Sequence, residues 1–197
     1  MSVDIESIKK LKDLTGVGLT DAKKALEESK GDFDKALAAM RQKGLTKAEK
    51  RGLKETRAGV IGTYNHDNRI GVLIEVNCET DFVARNDIFK ELVKDIAMHI
   101  AASNPIYVSY EDIPKIEIKK AEEEFRKSEE IKSKPKEIQD KIIKGQVDKY
   151  FQERCLKNQP FVKDLNKNVE QYIKETSAKL GENIVVRRFT RYGIGEL

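Results

Sequence analysis

The sequence predicts an α+β protein: an N-terminal three-helix module ahead of a core in which helices pack on a small antiparallel three-stranded sheet. Three features of the 197-residue chain carry that reading. The first 44 residues repeat apolar side chains at helical spacing between glycines. Runs at 59–64, 69–76 and 184–192 are dense in Val, Ile, Thr and aromatic residues, which suit a pleated, half-buried surface. The segments between them follow a helical period and are heavily charged. Charged residues make up 37% of the chain, against about 25% in an ordinary globular protein.

Taking the elements in order, Asp4 is placed to cap a first helix with the stripe Ile5, Ile8, Leu11 and Leu14, its carboxylate accepting from the free N–H groups of the first turn. Thr15-Gly16-Val17-Gly18 stops that helix, and Thr20 caps a second with Ala22, Ala25 and Leu26 inward. Gly31 ends the second, Asp32 starts a third with Phe33, Ala36, Leu37 and Met40 on one face, and Gly44 closes it. So few large apolar groups make a modest core. Residues 1–44 therefore read as a small docking module, 45–56 as a charged linker helix and 57–197 as the α+β core domain.

In the core, Asn65-His66-Asp67-Asn68 supplies turn residues between the first two β-rich runs, so the pair is a hairpin. Asn86 or Asp87 begins a helix with Ile88, Phe89, Leu92, Val93, Ile96, Ala97 and Ile100 inward, ended by Asn104-Pro105. Lys119 to Ile131 reads as a charged helix with Ala121, Phe125 and Ser128 on its inner side. Pro135 opens another, carrying Ile138, Ile142, Val147, Tyr150 and Phe151. A last helix is expected from Asp164 to Leu180, with Leu165, Val169, Tyr172 and Ile173 inward and Gly181 as its stop. The run 184–192 completes the sheet, which two strands alone would not stabilise.

Composition excludes several classes. No apolar run approaches the roughly 20 residues of a membrane span, and the first residues lack the basic-then-apolar order of a secretion signal, so a cytoplasmic protein without a membrane role is expected. Cys78 and Cys155 stand far apart in the sequence, in keeping with a reducing compartment, and two thiols cannot supply a four-ligand metal site. The net charge of +4 is spread along the chain. The nearest approach to a phosphate-binding patch is Lys43, Lys47, Lys50, Arg51, Lys54 and Arg57, interrupted by Glu49 and Glu55, which reads as a solvated linker rather than a nucleic-acid surface.

Motifs for chemistry are few. Thr15-Gly16-Val17-Gly18 lacks the preceding strand and the Lys-Ser/Thr ending of a phosphate loop. His66 and His99 have no second His at metal-protease spacing, and Cys78 has no neighbouring His to activate it. Neither a catalytic centre, a cofactor nor a metal site is expected. One segment resists a purely structural reading: Val76-Asn77-Cys78-Glu79-Thr80-Asp81-Phe82-Val83-Ala84-Arg85-Asn86-Asp87. A strand-to-helix loop should be polar, yet Phe82 and Val83 stand between Asp81 and Arg85. Either Phe82 staples the following helix, or it is an exposed aromatic anchor for a partner protein.

Four stretches resemble the bacterial elongation factor Ts family. They are Leu14–Leu26, Glu75–Asn86, Gln159-Pro160-Phe161-Val162-Lys163-Asp164, and Gly181-Glu182-Asn183-Ile184-Val185-Val186-Arg187-Arg188-Phe189, in the family's order and across nearly the whole chain. The chain is similar to the short form, without the second half of the core and the coiled-coil hairpin. The resemblance implies a ubiquitin-associated-type fold for the N-terminal module. It also implies a guanine nucleotide exchange factor without covalent chemistry, acting on the G domain of GDP-bound elongation factor Tu, as a homodimer. On that basis Thr80, Asp81, Phe82 and Val83 displace Mg²⁺ from the partner, with Asn77, Cys78, Glu79, Arg85 and Asn86 as the supporting loop. Thr15, Gly16, Val17, Gly18, Leu19, Asp21, Lys23, Lys24 and Leu26 form the N-terminal docking segment. The competing reading is a helical adaptor that binds through the 1–44 module alone, in which Phe82 has no part.

Overall fold

The computed structural model describes residues 4–15, 18–40, 42 and 54–196. In chain order the elements are α1 (Ile5–Thr15), α2 (Leu19–Glu28), α3 (33–40), β1 (Ala58–His66), β2 (Ile70–Cys78), α4 (Asp81–Arg85), α5 (Asp87–Ser103), α6 (Lys115–Arg126), α7 (Glu129–Lys132), α8 (Lys136–Gln152), β3 (Pro160–Phe161), β4 (Asp164–Asn168), α9 (Val169–Leu180) and β5 (Val185–Gly193). This is the expected α+β architecture.

The N-terminal helices enclose Ile8, Leu11, Ala22, Ala25, Leu26, Ala36 and Met40, flanked by Phe33 and Leu37. Asp4 caps α1, accepting from the Ser7 N–H at 3.0 Å, and Asp32 caps α3 through the Lys35 N–H at 3.1 Å. The expected cap at Thr20 is corrected to Gly18, whose extended backbone already turns into α2 and whose carbonyl receives the Ala22 N–H at 3.0 Å. The α1 stripe is buried only in its middle, at Ile8 and Leu11, because short crossing helices cover one another only near the contact; Ile5 and Leu14 are exposed. The proposed stop at Gly44 and residues 45–53 of the proposed linker helix lie outside the described residues, and 54–57 are neither helix nor strand.

The main sheet has the order β1-β2-β5, antiparallel throughout. Asp67 and Asn68 both take positive φ (51° and 57°) in the hairpin turn, the conformation that matches the twist of paired strands. On β2, Val72, Ile74, Val76 and Cys78 face α5 and are buried. Helix α5 lies close against β1 because Gly62 offers no side chain: a Cβ there would collide with Val93. A shift of register between Glu75 and Val76 opposite β5 skips Arg187. This bulge re-phases the strand. Val186 and Phe189 pack toward the core, while Arg188 turns outward to Glu75 at 2.7 Å. Regular alternation would have sent Arg188 inward with Val186.

Several helical expectations are corrected. The segment expected as one helix from Lys119 to Ile131 is two, α6 and α7, opened by Pro114 at the α6 cap and broken at Lys127 and Ser128. At about 100° per residue, an unbroken helix would hold Ile131 roughly 80° off the Ala121–Phe125 stripe. The break lets Ile131 join Ile113, Ala121, Ile143, Val147, Phe151 and Cys155 in a separate cluster, leaving Ser128 exposed. Ile88, Ile138 and Tyr150, expected inward, are exposed on the flanks of their helices. The helix expected from Asp164 begins at Val169. Asn168 and Gln171 form a reciprocal capping box there, each side chain bonding the other's backbone N–H at 2.8 and 2.9 Å. Residues 160–168 instead form the unforeseen β3–β4 hairpin, and Leu165 is 76% exposed.

That hairpin seals a buried polar layer against α5. Asp95 receives the Lys163 ammonium at 2.5 Å and the Tyr172 hydroxyl at 3.0 Å, and Tyr172 stacks on Phe161 with centroids 4.4 Å apart. The fully buried His99 accepts the Val162 N–H on Nδ1 at 3.3 Å, so its proton sits on Nε2 and is donated to Gln159 Oε1 at 2.9 Å. Burial pushes the His99 pKa below its ordinary 6.5. A depressed base is neutral in the fold and charges more readily when unfolded, so its contribution is complete above 6.5 and lost as pH falls below it. Urea titrations between pH 8 and 5 should show stability declining below 6.5, and declining less steeply in His99→Gln. Equal slopes would remove this assignment.

Candidate partner-binding site

The segment after β2 is built by two successive caps. Thr80 is extended (φ −132°, ψ 155°), and its hydroxyl accepts the Val83 N–H at 3.5 Å to start α4. Asn86 is the single extended residue between α4 and α5, closing one and capping the other through the Ile88 N–H at 2.9 Å. So short a helix can bury only one side. Ala84 is buried and Val83 half-buried against the main core. Phe82, about 100° around the helix from Val83, is therefore thrown outward and is 89% exposed. Of the two sequence readings of Phe82, the staple is excluded by this exposure. Asp81 and Arg85 flank the ring on the same helix and are also exposed.

The loop beneath α4 is buckled to the segment that follows α9. Gly181 takes a left-handed conformation (φ 71°) that ends α9, a turn glycine makes without Cβ strain. The chain then presents Glu182, whose Oε2 accepts the Glu79 and Thr80 N–H groups at 3.1 and 3.0 Å and whose Oε1 accepts the Thr80 hydroxyl at 2.6 Å. The clasp is reciprocal: Glu79 Oε1 accepts the Asn183 N–H at 2.7 Å. Lys54 lies 3.4 Å from the same carboxylate and its carbonyl accepts from Asn183 Nδ2 at 2.8 Å. Ser177 donates to the Glu182 carbonyl at 2.5 Å.

The proposed site residues therefore divide. Thr80 and Val83 anchor α4, and Asp81 and Phe82 are presented. Among the supporting residues, Arg85 and Asn86 are exposed, and Asn77 is part-buried and donates to the Ala58 carbonyl at 3.3 Å. Cys78 lies beneath the loop rather than at the surface. It is fully buried, donates to the Thr80 carbonyl at 3.2 Å, and burial together with the Glu182 charge raises its thiol pKa, so it is an inert packing group. Glu79 is largely turned into the clasp.

In the N-terminal segment, Gly18, Leu19, Asp21, Lys23 and Lys24 are exposed and Lys23 lies 3.8 Å from Glu27. Leu26 is corrected from a docking residue to a core residue, fully buried because it faces α1. Thr15 is also buried, its hydroxyl donating to the Leu11 carbonyl at 2.5 Å. Gly16 and Val17 lie outside the described residues. Glu182 and Asn183 lie in the family-like stretch 181–189, where no motif by itself assigns them a role. The available signal was an acidic residue directly after a helix-ending glycine, where a side chain returns toward neighbouring backbone.

Among the described residues, no group of three or more His, Cys, Asp or Glu is arranged to hold a metal ion, and no helix is long and apolar enough to cross a membrane. Comparison with known proteins matches residues 12–196 to the family described as Elongation factor TS. Relatives named elongation factor Ts include that of Thermodesulfovibrio yellowstonii, 49% identical across 100% of this chain and 98% of that protein. Another is from Thermotoga petrophila, 50% identical across 100% and 98%, and a third from Geobacter sulfurreducens, 47% identical across 100% and 91%. The match spans the clasp, the exposed aromatic and the whole sheet at nearly equal chain length, and so this chain belongs to the elongation factor Ts family of translation elongation factors.

Proposed function

We propose that this protein is a guanine nucleotide exchange factor that binds GDP-bound elongation factor Tu, dislodges its Mg²⁺ and releases GDP so that GTP can bind. The observation that carries the reading is Phe82, a large apolar ring 89% exposed on a helix capped at both ends. An isolated ring fixed on a short rigid element is suited to enter a pocket of a partner, and its presentation leaves little ordering to be done on binding. In the proposed mechanism Phe82 wedges between helices of the G domain, and the Asp81 carboxylate perturbs the polar shell of the Mg²⁺. That ion demands near-ideal octahedral geometry, so a small displacement releases it, and with it a +2 charge beside the phosphates. The effect is reciprocal, since bound nucleotide weakens the factor in equal measure. The N-terminal module docks on the same domain through Leu19, Asp21, Lys23 and Lys24. The factor itself performs no covalent chemistry and works in the cytoplasm.

A homodimer belongs to the same reading. The sheet face turned away from α5 exposes Ile61, Leu73 and Tyr192, with Ile194 beyond the end of β5, and includes a groove of about 600 Å³. Apolar exposure of this kind is suited to burial against a second copy.

The test is release of a fluorescent GDP from elongation factor Tu. The expected result is a concentration-dependent acceleration by this protein that excess Mg²⁺ suppresses. The absence of acceleration with both proteins folded would overturn the reading.

A further inference from the structure

Three hydrogen bonds from the segment bearing Phe82 converge on one carboxylate, more than a hundred residues away in the chain. Glu182 takes the two successive N–H groups of Glu79 and Thr80 and the Thr80 hydroxyl. That hydroxyl is also the group that caps α4. Donating its proton to Glu182 leaves a lone pair aimed at the Val83 N–H, so the cap depends on the carboxylate being where it is. Asn183 closes the buckle from the other side, its N–H on Glu79 and its amide on the Lys54 carbonyl. The base of the buckle is stiff: Gly181 ends α9 in a left-handed turn, Ser177 holds the Glu182 carbonyl, and β5 begins at Val185.

A five-residue helix is too short to hold itself, since forming one turn fixes several dihedrals for a single hydrogen bond. Its burial rests on Ala84 and part of Val83 alone. Without the clasp, the direction in which Phe82 leaves the surface would be free to wander. A carboxylate accepting N–H bonds makes stronger contacts than a neutral acceptor, which suits a group that must hold a loop against the force of a wedge.

We propose that Glu182 is a positioning residue for exchange: it sets the α4 cap through Thr80 and so aims Phe82, with Glu79 and Asn183 completing the buckle. The inference rests on the exchange reading above and extends it to a residue that need not touch the partner.

Two measurements on the full chain test it. In the first, hydrogen exchange is compared between the wild type and Glu182→Gln, which turns one acceptor into a donor facing donors. Faster exchange is expected at 79–85, with β2 and the centre of α5 unchanged. In the second, fluorescent GDP release from elongation factor Tu is titrated with each protein. Glu182→Gln is expected to lower the maximal release rate about tenfold, with a smaller change in the half-saturating concentration and a nearly unchanged thermal midpoint. In a Phe82→Ala background the same change should add less than about twofold, because coupled residues are non-additive. Should Glu182→Gln fail to fold, Glu182→Asp keeps the charge but is one methylene too short to span all three donors, and should give the same pattern at smaller amplitude.

The proposal is overturned if exchange at 79–85 is unchanged, if release stays within twofold of wild type, or if the loss is undiminished in the Phe82→Ala background. A wild type that fails to accelerate release while the clasp effect on hydrogen exchange is present would overturn the exchange reading and leave the buckle standing as structure only.

Discussion

Phe82→Ala should reduce the acceleration of GDP release on the order of 30-fold or more, equivalent to about 2 kcal/mol, the scale on which a central aromatic anchor contributes to an interface. The thermal midpoint should stay within about 2 °C of wild type, because a side chain 89% exposed contributes little to the folded state. This separation of function from stability is the signature of the site. Phe82→Leu, which keeps apolar volume and loses the flat ring, should fall between the two. The measurement is stopped-flow release of fluorescent GDP, paired with calorimetry on the same preparations. A Phe82→Ala protein within twofold of wild type would move the mechanism away from the wedge and raise the helical-adaptor reading, in which the N-terminal module alone binds.

The opposite pattern is expected seven residues further on. Phe89 is fully buried in the main cluster, with Leu92, Ile96, Ile100, Ile74 and Val76. Phe89→Ala should cost about 3–5 kcal/mol, combining the lost transfer energy of the ring with the cavity left behind. For a chain of this size the midpoint should fall on the order of 10 °C. At temperatures where the variant remains folded, its release activity should survive in proportion to the folded fraction. The check is a thermal melt followed by release assays at two temperatures. A Phe89→Ala melt within 2 °C of wild type would contradict the close packing of α5 on the sheet.

Much of the fold was legible because local physics decided it. Asn65 to Asn68 could only be a turn between two β-rich runs, and Asn104-Pro105 could only end a helix. In α5, helical periodicity picked out Phe89, Leu92, Val93, Ile96 and Ile100, all buried. Ile88 sits at the edge of the same stripe, and how far a helix sinks at its edge depends on what covers it. The Asp164 start failed for a similar reason. Apolar spacing from Leu165 to Val169 is compatible with a helix, but the Asn168–Gln171 box fits only one starting point, and the freed residues paired with β3. The single helix expected over 119–131 is interrupted at Lys127 and Ser128, and the break places Ile131 in the cluster with Ile113, Ala121 and Phe151, a long-range contact that local spacing does not record.

The candidate site was legible in part. Phe82 stood out because an aromatic residue between opposite charges has no local partner, but its direction was open until the burial of Ala84 on α4 excluded a staple. Leu26 and Cys78 entered the site through their place in family motifs; Leu26 is buried in the N-terminal cluster, and Cys78 is buried beneath the loop, where it bonds the Thr80 carbonyl.

What the sequence by itself determined about this protein is the three strands of the main sheet with their hairpin turn, the helix α5 and its end, the caps at Asp4 and Asp32, and its family. Those are written in spacings of a few residues, where backbone sterics and side-chain hydrogen bonds act. Only the tertiary structure decided which face of each element is covered, the re-phasing of β5 that turns Arg188 toward Glu75, and the meeting of Glu182 with Glu79 and Thr80. Each depends on groups far apart in the chain being brought within about 3 Å, the range over which a hydrogen bond acts.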